Sequence, residues 1–92
     1  MARVTLDLPE MLSRLADVPR SVPLETATLS QALAAAVERY PALHVHLFDE
    51  SGAFRQHVLC FHNETNTRWE PSLEIPLADG DRITIMQAVS GG

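Results

Sequence analysis

Apolar and polar residues alternate at the start of the chain, where Val4, Leu6 and Leu8 are interleaved with Arg3, Thr5 and Asp7. A period of two belongs to a strand with one buried face, so residues 3–8 are expected to be extended, with Pro9 ending or bending the strand. A second short extended piece is expected around Ser21 to Leu24, because Pro19 and Pro23 oppose a helix there and suit a sheet edge. The period changes at Thr28-Leu29-Ser30-Gln31. This is a capping box, in which the threonine hydroxyl accepts from a first-turn amide while the glutamine reaches back. Leu29, Leu33, Ala36, Val37 and Tyr40 then recur at helical spacing, Gln31, Glu38 and Arg39 lie off that face, and Pro41 closes the segment. The pattern predicts one amphipathic helix laid on a sheet.

Beyond Pro41 the pattern is less regular. His44 and His46 alternate with Val45 and Leu47, but Asp49-Glu50-Ser51-Gly52 soon breaks the run, and Leu43 to Phe48 reads as irregular. Phe54 to His62 is rich in strand-forming residues on both faces, which suits a central strand. Asn63-Glu64-Thr65-Asn66 supplies the turn out of it, and a short partner strand is expected near Thr67 to Trp69. Ala78-Asp79-Gly80-Asp81 is a turn, after which Arg82 to Met86 returns to alternation with Ile83 and Ile85 inward. The order is strand, strand, helix, strand, strand, strand. That order suits an α+β chain of the β-grasp kind, a mixed sheet of four to five strands around one main helix.

At 92 residues the chain is expected to form one domain, 1–92, with a core but without room for a large internal active site. Apolar residues at 46% and charged residues at 21% have the balance of a folded protein. The charged start Met1-Ala2-Arg3-Val4-Thr5-Leu6-Asp7 is unlike a signal peptide, and no apolar run is long enough for a membrane span, so the expected compartment is the cytoplasm. A net charge of -5, with Glu64, Glu70, Glu74, Asp79 and Asp81 late in the chain, argues against nucleic acid as a partner. All seven basic residues are arginine, so no side-chain amine can accept an isopeptide bond on this chain.

The single cysteine, Cys60, alternates with Val58 and His62 and is expected on the helix-facing side of the sheet as a small buried hydrophobe rather than a sulfur relay. His44, His46, His57 and His62 lack carboxylate or thiol companions at ligand spacing, and no metal site is expected. Leu59 and Phe61 have the opposite parity to Cys60, and Met86 shares the outward parity of Thr84 and Arg82. These three residues, with Val89, form the candidate partner-binding surface. Trp69 has two open roles, covering the sheet edge or joining the interface.

The strongest chemical signal is terminal. Glycine averages about 7% of residues, so a closing pair is uncommon, and here Gly91-Gly92 follows a well-patterned strand that would launch a short extended tail, about 88–92, with a free carboxylate. Glycine without a Cβ can thread a narrow channel, and a carboxylate is a poor acyl donor until activated. The run Leu77-Ala78-Asp79-Gly80-Asp81-Arg82-Ile83-Thr84-Ile85-Met86-Gln87-Ala88-Val89-Ser90-Gly91-Gly92 resembles the MoaD/ThiS family of ubiquitin-like sulfur carriers, and weaker similarity extends over most of the chain.

The resemblance implies that an E1-like adenylating partner uses ATP and Mg to convert the Gly92 carboxylate into an acyl-adenylate. Sulfur then displaces the adenylate to give a thiocarboxylate. A sulfurtransferase or biosynthetic acceptor enzyme, in molybdopterin, thiazole, cysteine or similar synthesis, would take that sulfur. The chain itself would be a carrier substrate or the small subunit of a sulfur-transfer complex, binding no cofactor. Two other classes stay open: a modifier conjugated through Gly92, and a binding module whose tail is incidental.

Overall fold

The computed structural model describes residues 1–88. Strand β1 (Ala2–Asp7) leads into a two-turn helix α1 (Glu10–Ala16), then β2 (Ser21–Thr26), the main helix α2 (Leu29–Arg39) and a short helix α3 (Ala42–Leu47). Strands β3 (Val58–His62) and β4 (Thr65–Asn66), a 3-10 turn at Thr67–Trp69, and β5 (Arg82–Gln87) complete the described chain. The five strands form one sheet in the order β2-β1-β5-β3-β4. β1 and β5 run parallel, and the other neighbours are antiparallel. A mixed five-stranded sheet wrapped on one main helix is a β-grasp, as the order of periodicities predicts.

Alternation decides which face is covered. Val4, Leu6, Val22, Cys60, Ile83 and Ile85 are buried on the inner side of the sheet, against Leu29, Ala32, Leu33 and Ala36 of α2. The helix begins as its capping box requires: the Thr28 hydroxyl accepts from the Gln31 amide at 3.2 Å, and the Gln31 side chain accepts from the Ala27 amide at 3.1 Å. Each bond occupies an amide that the first turn or its approach would otherwise leave unpaired.

Four segments depart from the expected pattern. Residues 10–16 are helical, closed by Asp17 in the left-handed region, and α1 buries Leu12 and Ala16 one turn apart. Leu43 to Phe48 contains the helix α3 rather than irregular chain, because Leu43 and Leu47, spaced by four, are the buried positions. The histidine alternation there is only a surface pattern. Phe54 to His62 is extended as a strand only from Val58; Phe54 instead forms an isolated bridge with Phe48, their rings stacked at 5.0 Å. Thr67–Trp69 is a 3-10 turn and not a strand. The Asn66 side chain accepts from the Arg68 amide, and the Thr67 hydroxyl donates to the Cys60 carbonyl at 2.8 Å, so side chains take the bonds a strand would have made. The partner strand of β3 is the two-residue β4 just before it.

Candidate functional site

β5 carries the chain toward its C-terminus from the middle of the sheet, bonded to β1 on one side and β3 on the other. Its start is held by Asp81, whose carboxylate accepts from the Ala78 amide at 2.9 Å, from Asn63 Nδ2 at 3.2 Å, and pairs with His62 Nε2 at 2.8 Å. The bond from His62, followed by those from the Ala78 amide and Asn63, holds the Asp81 carboxyl down at about 2. Asn63 closes the network by accepting from the Arg82 amide. The preceding turn needs Gly80, whose φ of 89° is costly for residues with a Cβ, and the Gly80 amide ties the turn to the Arg3 carbonyl. The far end of β5 stays in register: the Ala88 amide donates to the His57 carbonyl at 2.8 Å, one step past the strand. Gly91 and Gly92, the candidate reacting residues, and Val89 of the candidate surface lie outside the described residues.

The outer face of β3 and β5 brings the remaining candidates together. Leu59 lies directly opposite Met86, and Phe61 opposite Thr84, while Cys60 pairs with Ile85 on the buried side. Met86 is 49% exposed, and Leu59 and Phe61 are half-buried. On the same face Arg82 makes a bidentate pair with Asp7, to which Ser21 also donates. The face is thus apolar over β3 and the end of β5, and polar over β1.

Cys60 is buried, and burial pushes its thiol up to about 11, so it is protonated and a poor nucleophile at neutral pH. His44 and His46 sit on α3, His57 precedes β3, and His62 pairs with Asp81; among the described residues no three metal-binding side chains converge. Trp69 is 80% exposed and does not cover the sheet edge. Among the described residues, no helix is long and apolar enough to cross a membrane.

Sequence reasoning missed Met11. Helix α1 follows β1 and so comes to the same end of the sheet as the end of β5, where a groove is lined by Pro9, Met11, His57, Met86 and Ala88. The local cues are few: Pro9 just before the first helical position and Glu10 in the first turn, with only Leu12 and Ala16 buried at helical spacing.

This architecture, a mixed five-stranded sheet with its last described strand in the middle and one main helix across it, defines a ubiquitin-like β-grasp protein. The chain belongs to the ThiS family of ubiquitin-like sulfur carriers, whose profile matches residues 12–92. Members are carrier proteins rather than catalysts.

The sulfur carrier protein CysO of Mycobacterium tuberculosis is 30% identical over 91 residues, covering 97% of this chain and 98% of that protein. The small archaeal modifier protein 1 of Methanosarcina acetivorans superposes with a TM-score of 0.82 at 28% identity, covering 100% of this chain and 98% of that one. The Amycolatopsis orientalis BexX/CysO complex contains a chain similar at a TM-score of 0.80 and 27% identity, covering 97% of this chain and 99% of that one.

Proposed function

We propose that the chain carries sulfur on the carboxylate of Gly92, at the end of a tail of about residues 88–92 on a single domain spanning 1–92. The observation that carries this reading is the Gly91-Gly92 pair closing the chain four residues past Ala88, at the end of the sheet's middle strand, in a chain of the ThiS family. In the first step the carboxylate oxygen attacks the α-phosphorus of ATP held with Mg by an E1-like partner, giving the acyl-adenylate and releasing pyrophosphate. A sulfur nucleophile then attacks the activated carbonyl and AMP leaves. With hydrosulfide as the nucleophile the product is the thiocarboxylate itself; with a donor persulfide it is an acyl disulfide, and a second thiol then attacks the donor's sulfur, forming a disulfide with it and releasing the thiocarboxylate.

The described chain supplies no catalytic group to these steps: its thiol is buried and protonated, and its histidines stand apart. Its part is to present the tail and to be recognised, through Leu59, Phe61, Met86 and Val89. That a similar chain is found in the BexX/CysO complex supports docking onto a partner enzyme. A sulfurtransferase or biosynthetic acceptor then takes the sulfur, in molybdopterin, thiazole, cysteine or similar synthesis, and the use of ATP points to the cytoplasm.

A second reading, conjugation through Gly92 to other proteins, is favoured by the likeness to small archaeal modifier protein 1. Both readings need the same activated carboxylate. ATP–pyrophosphate exchange with the cognate activating enzyme tests that shared step: removing Gly92 should abolish exchange while circular dichroism remains unchanged. Undiminished exchange by the folded, truncated protein would refute the role of the tail.

A further inference from the structure

We propose that the activating partner also grips helix α1, seating an apolar side chain in the groove between Met11 and Met86 with a carboxylate of its own at the rim against Arg20. The proposal rests on the reading that Gly92 is the reacting end. Three observations meet at this place. Two large apolar side chains of the groove are exposed, Met11 at 64% on α1 and Met86 at 49% on β5, and Leu15, four positions beyond Met11 along α1 and outside the groove lining, is exposed at 63%. Met11 and Met86 line one groove together with Pro9, His57 and Ala88, and it is continuous through Met86 with the outer sheet face carrying Leu59 and Phe61. Exposed apolar groups gathered this way mark contact surfaces more often than apolar groups scattered singly, and methionine adapts its shape to whatever seats against it.

The reach of the tail says what covers the groove. Ala88 is held to His57, and Gly92 is the fourth residue beyond it. Fully extended, four residues span at most about 14 Å. An enzyme that encloses the Gly92 carboxylate within that distance must bring the mouth of its channel against the root of the tail, and the groove is part of that root. The charges on the groove give the mouth its polarity. Asp7, which lines it, is neutralised by the bidentate Arg82, whereas Arg20 on the rim has no carboxylate partner among the described residues. In a chain of net charge -5 this rim favours a partner carboxylate, while the acidic residues elsewhere favour basic ones.

The test is steady-state pyrophosphate exchange at varied carrier concentration with the activating enzyme, using the full-length chain, Met11→Ser, Arg20→Glu, and Val45→Ser as an apolar truncation on α3. Val45 is 58% exposed and lies outside the groove, and Met11 and Arg20 are also exposed, so all three variants should fold, which melting curves check. Met11→Ser and Arg20→Glu should each raise KM for the carrier at least about fivefold and leave kcat within about twofold, whereas Val45→Ser should match the parent protein. Equal KM values for Met11→Ser and the parent would overturn the groove as a contact while leaving the role of Gly92 intact. A rise shared by Val45→Ser would overturn it as a specific site. No exchange by the parent protein would overturn the activated-carboxylate reading and the groove with it.

Discussion

Replacing Leu6 with Ala removes three carbon atoms from the middle of the inner sheet face. Leu6 is fully buried, with Val22 of β2 directly opposite on one side and Ile83 of β5 on the other, and both of these are fully buried too. The lost transfer free energy is roughly 2.4 kcal/mol at about 0.8 kcal/mol per buried methylene. Collapse into the space is restricted, because β1 is hydrogen-bonded along both edges and cannot shift without breaking one ladder. A residual cavity of about 60 Å³ would add roughly 1.5 kcal/mol. The expected destabilisation is therefore about 4 kcal/mol, a fall in Tm of about 16 °C or more for a domain of this size. Arg3→Ala is the control. Arg3 is exposed, and its bonds to Asp79 and Gly80 run through its backbone, which alanine keeps, so the change should cost less than about 0.5 kcal/mol. Urea titrations of both variants, with m unchanged, check the reasoning. If Arg3→Ala were the more damaging, the packing account of β1 would be refuted.

Phe61→Ser tests the sheet face: it should weaken binding to the activating enzyme about tenfold or more by calorimetry with little change in melting, since Phe61 faces away from the core opposite Thr84. Normal binding with a much earlier melt would show that Phe61 serves packing instead. Asp81 sets an acid limit. Its folded-state pKa of about 2 lies below the ordinary carboxylate value near 4, so its contribution to stability is complete above about pH 4 and is lost as pH falls toward 2. Asp81→Asn should flatten the stability profile in that window, measured by urea titration across pH, and an unchanged profile would contradict the clamp.

Where one face of an element is buried, the sequence was informative. The alternation of Val4, Leu6 and Leu8, the capping box at Thr28, and the inward pair Ile83 and Ile85 all correspond to observed structure, because burial forces a period on the residues that undergo it. The parity that separates Leu59 and Phe61 from Cys60 is also the observed one. Short elements were less legible. Helices α1 and α3 each bury two leucine or alanine side chains over fewer than eight residues, too few to establish a period against the exposed His44, Met11 and Leu15. At Thr67–Trp69, a side-chain bond to the Cys60 carbonyl overrides the local preference for strand, and only the tertiary structure brings those groups together. The groove at the end of β5 was hidden for the same reason. Met11 and Met86 are distant in sequence and meet because β1 and β5 run parallel, so the chain leaves both strands at the same end of the sheet.

The central claim concerns one atom of Gly92, and intact-mass spectrometry reads it most directly. The full-length chain is incubated with its activating enzyme, ATP, Mg and a sulfur source, with omission of ATP as the control. The account predicts a mass increase corresponding to replacement of one carboxylate oxygen by sulfur, located at Gly92 by fragmentation and absent without ATP. An unchanged mass under conditions where the enzyme hydrolyses ATP in response to the carrier, or sulfur found on Cys60 instead, would contradict it.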